Sequence, residues 1–84
     1  MKIVLASRAL NDLAELVRHE PKTASKALAL IEECRRTPFS ERGKPEALRH
    51  DWSGYWSRRI TDEHRLVYRV VGETLEVVQC RFHY

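Results

Sequence analysis

The spacing of apolar residues changes near the middle of the chain, and no other feature limits the possible folds as strongly. The first half predicts two helices with apolar stripes, formed by Leu10, Leu13, Ala14 and Val17 and by Ala24, Ala27, Leu28, Ile31 and Cys34. From residue 56 onward, apolar and polar residues alternate as they do in strands. The change of period predicts an α+β protein.

Certain residues mark where the predicted elements begin and end. Residues 2–5 are apolar and partly β-branched, which predicts a strand, and Ser7 is placed to cap the following helix. Pro21 suits the first turn of a second helix, and Pro38 ends that helix because the residue before a proline avoids helical geometry. Few residues join the two helices, so an antiparallel pair is expected.

The second half is predicted to form a small antiparallel β-sheet packed against this N-terminal helical pair. Residues 37–54 are predicted to be a loop with at most a short strand at 46–49. Strands are predicted at 56–60, 65–71 and 75–84, with tight turns between them, as consecutive hairpins. The helices would then cover one face of the sheet and leave the other face open.

The composition limits what else the chain can contain. With 84 residues and 43% hydrophobic content, residues 1–84 are expected to form a single domain with no room for a cofactor domain. No apolar run approaches the roughly 18 residues of a membrane span, and the apolar start is too short for a signal peptide, so a cytoplasmic location without membrane contact is expected. Cys34 and Cys80 form no CxxC pair and are expected to be buried small residues.

Positive charge is concentrated in one stretch of the chain. Between residues 42 and 69, seven basic residues stand against four acidic ones, and this difference of three equals the net charge of +3 of the whole chain. Aromatic residues lie within the same stretch, namely Trp52, Tyr55, Trp56 and Tyr68. A basic excess with interleaved aromatics is typical of a phosphate-rich partner such as nucleic acid, although a solvated surface gives a weaker version of it.

Side-chain alternation assigns the residues of the predicted strands to two faces. The apolar set placed against the helices is Trp56, Ile60, Leu66, Tyr68, Val70, Val78, Cys80 and Phe82. The set then turned to the open face is Arg59, Arg65, Arg69, Gln79, Arg81 and His83. Any solvent-facing strand carries polar residues, but cations and an imidazole on one face also fit a site for RNA.

RNA cleavage without a metal needs a base for the 2′-hydroxyl, cations for the phosphorane and an acid for the leaving 5′-oxygen. Glu46 is the candidate base, although a solvated glutamate is the alternative interpretation. His83 is the candidate acid because imidazole titrates near neutral pH. Arg65 and Arg59 would neutralise the phosphate, and Tyr84 would stack on a base or contact a phosphate.

Three further residues flank Glu46 in the loop: Lys44, Arg49 and His50. Lys44 and Arg49 would add positive charge for RNA, and His50 is open to either a phosphate contact or a share in proton transfer. The histidines and cysteines show no recognised ligand spacing, so no metal site and no cofactor are expected.

Several segments occur together in an order that is specific from about residue 35 onward. They are Arg36-Thr37-Pro38-Phe39, Gly43-Lys44-Pro45-Glu46, Ser53-Gly54-Tyr55-Trp56-Ser57-Arg58-Arg59-Ile60, Glu63-His64-Arg65-Leu66-Val67-Tyr68 and Cys80-Arg81-Phe82-His83-Tyr84. In these segments and in length the chain resembles the YoeB (Txe) family of toxins, within the RelE/ParE superfamily. Phe82 stands where the family often has tyrosine, and Trp52 where it often has leucine.

The resemblance implies a RelE-like fold and ribosome-dependent cleavage of mRNA that blocks translation. It implies neutralisation by a YefM-type antitoxin that is acidic and partly disordered, a homodimer in the free toxin, and contact with operator DNA only through the antitoxin complex. Carried over by residue, it implies that Glu46 is the base, Arg65 the phosphate-stabilising cation, His83 the acid and Tyr84 the terminal aromatic. Arg59 and His50 match supporting positions.

Two other functions remain open at this point. A non-catalytic RNA-binding module would share the basic surface but would have no use for a carboxylate and a histidine beside the arginines. A gyrase-directed member of the same superfamily would lack the Glu, Arg and His-Tyr pattern.

Overall fold

Two α-helices and five strands make up the regular structure of the described residues, 1–40 and 44–82, in a computed structural model. In chain order they are β1 (Lys2–Leu5), α1 (Ser7–His19), α2 (Pro21–Arg36), β2 (Glu46–Ala47), β3 (Trp56–Arg59), β4 (Arg65–Val71) and β5 (Thr74–Gln79). A short 3₁₀ turn covers His50–Trp52. Among the described residues, no helix combines the length and apolar character needed to cross a membrane.

The strands form one sheet in the order β1-β5-β4-β3-β2. The α+β class is confirmed, but the sheet is mixed, because β1 pairs with β5 in parallel while the other pairs are antiparallel. A hairpin forces an antiparallel pair, and β1 is followed by a helix instead of a hairpin turn. The first strand was therefore free to enter the sheet in the other direction.

The helical pair covers one face of the sheet, which we call the covered face. Its core includes Ala24, Ala27, Ile31 and Cys34 of α2, as the sequence predicted, and Ala9, Leu13 and Leu16 of α1. The predicted stripe of α1 is wrong apart from Leu13, since Leu10 is 57% and Val17 58% exposed and Ala14 is also exposed. Leu28 of α2, also predicted to be buried, is 53% exposed.

The buried face of helix α1 is displaced by about one residue from the predicted stripe. Ala9, Leu13 and Leu16 are as well spaced for a buried face as the larger residues that the sequence favoured. The small side chain of Ala9 lets the helix approach its neighbours. Asp12 lies on the same face and is buried with it. The Asp12 carboxylate accepts a hydrogen bond from the main-chain N–H of Cys80 at 3.0 Å, which compensates its burial.

The predicted helix boundaries hold with one change at the start of α1. Ser7 is the first helical residue and not the cap; that position belongs to Ala6, whose main-chain N–H bonds to the carbonyl of Val77 at 2.9 Å. Pro21 begins α2 as predicted, and α2 ends just before the Thr37-Pro38 pair.

Strand β5 contains an irregularity that the sequence did not predict. Tyr68 of β4 lies opposite Val77, but the preceding Val67 lies opposite Gln79, so that Val78 is an extra residue in β5. Such a bulge shifts the alternation of side chains by one position.

The bulge changes which residues of the last strand reach the covered face. Leu75 and Val77 belong to the core before it, and Cys80 belongs to the core after it. The prediction that Cys80 is buried is confirmed, whereas Val78 is only partly buried and Phe82 is 49% exposed. The strand also ends at Gln79 and does not continue through the described residues that follow.

Candidate functional site

A groove on the open face of the sheet is lined by Lys44, Glu46, Arg59 and Arg65. These residues come from the loop before β2 and from β2, β3 and β4. The groove has a volume of about 460 Å³, which lies within the range of ligand-binding pockets. We call it the cationic groove, because three basic side chains surround one carboxylate.

The sheet register explains why these residues meet. Glu46 lies opposite Ser57, and Arg59 lies opposite Arg65. Ser57 and Arg59 are two residues apart on β3, so they project to the same face. Directly opposed residues of neighbouring strands also share a face, which places all four side chains on the open side.

Arg65 is held in place at both its side chain and its main chain. Its Nε donates to the Oγ of Ser57 at 3.0 Å, and its main-chain N–H donates to the carbonyl of Phe82 at 3.0 Å. Ser57 is itself fully buried, so its hydroxyl has little freedom to move. The bond uses the inner nitrogen of the guanidinium, and an anion would therefore be met by the terminal Nη atoms.

Arg59 pairs with Asp62, whose carboxylate Oδ1 lies 3.1 Å from Nη1. The two side chains are 66% and 93% exposed. A surface ion pair of this kind contributes only about 0–1 kcal/mol. Arg59 can therefore exchange this carboxylate for a phosphate at little cost.

A second groove, of about 440 Å³, lies beside the cationic groove and shares Glu46 with it. Arg49 and His50 line this second groove together with Ala47 and Leu48. The structure thus brings Arg49 and His50 next to Glu46 but not into the cationic groove, the lining of which includes Arg59 and Arg65.

The backbone around Glu46 is strained on both sides. Lys44 has a φ of 49° and His50 a φ of 56°, in the left-handed region that side chains other than glycine rarely adopt. Strain of this type costs on the order of 1–3 kcal/mol and is concentrated at functional sites in proteins.

The candidate acid His83 and the aromatic Tyr84 lie outside the described residues. The residue before them, Phe82, is described and is held beside β4. Its carbonyl accepts from the main-chain N–H of Arg65 at 3.0 Å and from the side-chain amide of Gln79 at 3.3 Å. The chain thus continues to His83 from a point bonded to Arg65.

Two residues at this site were missed from the sequence. Ser57 could have been found, because it alternates with Arg59 on a strand whose parity was already assigned. His64 lies in the tight turn predicted between the strands at 56–60 and 65–71, yet it is 2% exposed, and its ring bonds to Phe82 and to Glu20. Nothing in the local sequence indicates that burial, since Glu20 is 44 positions away.

Residues 5–84 match the family model described as "YoeB-like toxin of bacterial type II toxin-antitoxin system". Toxin YoeB of Escherichia coli K12 is 44% identical over 84 residues, which is 100% of both chains. A YoeB/ParE toxin structure from Agrobacterium tumefaciens is 50% identical with a TM-score of 0.93, and it covers 100% of both chains.

YoeB of Staphylococcus aureus is a further structural relative. It is 33% identical, and the match covers 100% of this chain and 98% of that one. It has been solved as a dimer, with a TM-score of 0.87, and in a heterotetrameric complex with YefM, with a TM-score of 0.86. The family match over residues 5–84 and these identities agree with the fold and with the segments singled out in the sequence, and the chain therefore belongs to the YoeB-like toxins of bacterial type II toxin-antitoxin systems.

Proposed function

We propose that this toxin is an endoribonuclease that cuts ribosome-bound mRNA without a metal ion and so blocks translation. The observation that carries the proposal is the cationic groove, where Glu46 lies together with Lys44, Arg59 and Arg65. A carboxylate among cations is of little use for binding RNA alone, since it repels phosphate. It is useful where a hydroxyl next to the phosphate must lose a proton.

The residues of the groove and the role that the resemblance implies for His83 support the following reaction. Glu46 takes the proton of the 2′-hydroxyl, and the 2′-oxygen attacks the adjacent phosphorus to form a phosphorane. Arg65 and Arg59 stabilise the added negative charge. The bond to the 5′-oxygen breaks as His83, in the role implied by the family resemblance, donates a proton to it. The products are a 2′,3′-cyclic phosphate and a 5′-hydroxyl end.

The preorganisation of Arg65 supports its part in this reaction. A guanidinium stabilises a transition state best when it does not have to reorganise as charge develops. The bonds from Arg65 to Ser57 and to the Phe82 carbonyl hold it before any ligand binds. Arg59, by contrast, is held by an exposed ion pair and can adjust to the RNA chain.

The partners proposed for the chain follow from its charge and its relatives. A net charge of +3 and an isoelectric point near 9.1 favour RNA, the ribosome and an acidic antitoxin of the YefM type. The S. aureus relative forms a dimer and a complex with YefM, which supports a homodimer of the free toxin here. We propose that operator DNA is met only through the antitoxin complex, and that residues 1–84 act as one domain in the cytoplasm.

Primer extension on ribosome-bound mRNA tests the proposed reaction. The wild type is expected to cut within codons and to leave 5′-hydroxyl ends, also in EDTA under conditions that keep the ribosomes assembled. Glu46→Gln and Arg65→Lys should each lower the rate about 10²- to 10³-fold, because each removes a group needed in the transition state. Arg18→Lys is the control, since Arg18 is an exposed residue of α1 paired with Glu15.

The outcomes separate the proposal from its alternatives. Intact mRNA during growth arrest by the wild type would contradict it, as would full cleavage by both Glu46→Gln and Arg65→Lys. A chain that binds ribosomes equally well with or without these substitutions, and cuts in neither case, would be a basic RNA-binding module.

A further inference from the structure

His64 lies in the connection between β3 and β4, yet its imidazole is buried. Both ring nitrogens have partners. The Nδ1 atom accepts a hydrogen bond from the main-chain N–H of Phe82 at 2.9 Å, and Nε2 lies 3.3 Å from Oε2 of Glu20. The ring therefore links the C-terminal segment to the junction between the two helices.

These partners determine where the ring proton lies. A main-chain N–H can only donate, so Nδ1 must offer a lone pair to Phe82. The proton of the neutral ring is then on Nε2, where it faces Glu20 at 3.3 Å and Glu63 at 3.6 Å. His64 thus acts as an acceptor toward the C-terminal segment and as a donor toward the helices.

The same assignment argues against a metal site at this position. Glu20, Glu63 and His64 place one ligand atom each within 4.8 Å of one another, which is close enough for an ion. A histidine that binds a metal through one nitrogen donates the N–H of the other to a partner. Here the second nitrogen is already an acceptor for Phe82, so the ring is arranged for a hydrogen bond and not for a metal.

Phe82 has an unusual backbone that needs such a partner. Its φ is 62°, in the left-handed region that a bulky residue adopts only under constraint. The bond from its N–H to His64 and the bond from Arg65 to its carbonyl constrain both sides of the residue. The phenyl ring adds a contact with the imidazole, with 5.4 Å between the ring centroids.

We propose that His64 is a positioning residue for the general acid. It fixes the left-handed conformation of Phe82, the residue that directly precedes His83 in the sequence. The inference rests on the proposed function, because it assigns His64 a purpose only if His83 delivers a proton to the leaving 5′-oxygen. His64 affects catalysis through the backbone of Phe82, which is one peptide bond from the acid.

Two substitutions separate the two hydrogen bonds of His64. In His64→Asn the amide oxygen takes the position of Nδ1 and can still accept from Phe82. In His64→Gln the longer amide takes the position of Nε2 and retains the contact with Glu20 but not the acceptor for Phe82. We expect kcat on ribosome-bound mRNA to fall about tenfold to a hundredfold in His64→Gln with KM unchanged, and by less than about threefold in His64→Asn.

A modified substrate shows whether the loss concerns the acid. With a sulfur in place of the bridging 5′-oxygen at the cleavage site, the leaving group departs as a thiolate and needs no proton. His64→Gln should cut this substrate about as fast as the wild type does. A merely structural defect would slow both substrates equally, and that result would overturn the proposal.

A third variant removes the bond without touching His64. Cys80 permits ligation of a synthetic peptide of residues 80–84 in which an ester oxygen replaces the main-chain N–H of Phe82. This ester should show the same loss of kcat and the same recovery on the sulfur substrate, and it reports even if His64→Gln does not fold. If kcat is unchanged in the ester while Glu46→Gln and Arg65→Lys are slowed as expected, the role of His64 is refuted. If Glu46→Gln and Arg65→Lys both cut at the wild-type rate, the proposed function itself is refuted.

Discussion

Arg58 and Arg59 are neighbours on β3, but they lie on opposite faces of the sheet and in different environments. The side chain of Arg58 is 1% exposed beneath α2, and that of Arg59 is 66% exposed at the cationic groove. The difference follows from strand alternation alone, since successive side chains point to opposite faces. The same residue type thus stabilises the fold at one position and is available for a ligand at the next.

The burial of Arg58 is partly compensated, since two of its three guanidinium nitrogens donate hydrogen bonds and the third, Nη1, makes only an ion pair. Its Nε bonds to the hydroxyl of Tyr68 at 3.2 Å, its Nη2 donates to the carbonyl of Thr37, and its Nη1 lies 3.7 Å from the Glu33 carboxylate. The Tyr68 hydroxyl in turn donates to the carbonyl of Pro38 at 2.6 Å. These contacts of Arg58 and Tyr68, which we call the clamp, join the end of α2 to β3 and β4. The clamp also anchors the start of the loop that leads to Glu46.

The largest effect is expected from breaking the clamp. Arg58→Leu should lower the free energy of unfolding by about 3 kcal/mol, because the Tyr68 hydroxyl and the Thr37 carbonyl both lose the guanidinium that donates to them. Arg59→Leu is the matched control and should change it by less than about 0.5 kcal/mol. Urea denaturation followed by circular dichroism measures both. Equal stabilities for the two variants would show that burial does not distinguish the two arginines.

The comparison also shows why part of the fold could be predicted and part could not. Arg59 and Arg65 were assigned to the open face correctly, because the large apolar residues of β3 and β4 leave little choice of parity. The bulge at Val78 has no local signal in residue type, so the parity predicted for the last strand holds at Cys80 but fails before the bulge, where Val77 and not Val78 lies in the core. The burial of His64 could not be predicted for another reason, since its partner Glu20 is distant in sequence.

Helix α1 shows a third kind of limit. Leu10 and Val17 have the spacing of a buried stripe, and so have Ala9, Leu13 and Leu16. Helical period alone cannot choose between two overlapping stripes of similar spacing. The choice depends on which side fits against β5 and on the bond from Cys80 to Asp12, neither of which the sequence displays.

The buried thiols of the covered face should make the protein less stable at alkaline pH. Burial raises the pKa of Cys34 to about 11 and that of Cys80 to about 12. The fold favours the neutral thiols, so their stabilising effect is complete below the ordinary thiol pKa of about 9 and is lost as the pH rises toward 11–12. The free energy of unfolding should fall by on the order of 1 kcal/mol per thiol between pH 8 and pH 10.

Urea denaturation at several pH values between 8 and 10 measures this slope. In Cys34→Ala the free energy of unfolding should fall less steeply with pH than in the wild type, because one titrating group of the covered face is gone. Asp62→Asn, at an exposed position beside Arg59, should leave the slope as it is. An unaltered slope in Cys34→Ala would mean that the Cys34 thiol is not kept neutral by the fold.

The smallest effect is expected at Ser57. It is buried like a core residue but belongs to the open face, and its hydroxyl accepts from Nε of Arg65 at 3.0 Å. Ser57→Ala should lower kcat about threefold to tenfold, since one hydrogen bond of about 0.5–1.5 kcal/mol no longer orients the guanidinium. Ser57→Thr retains the hydroxyl and should recover most of the rate. If Ser57→Ala instead lowered stability by several kcal/mol with kcat unchanged, Ser57 would belong with Arg58 among the residues that hold the fold, and the division of β3 into a structural and a functional face would have to be redrawn.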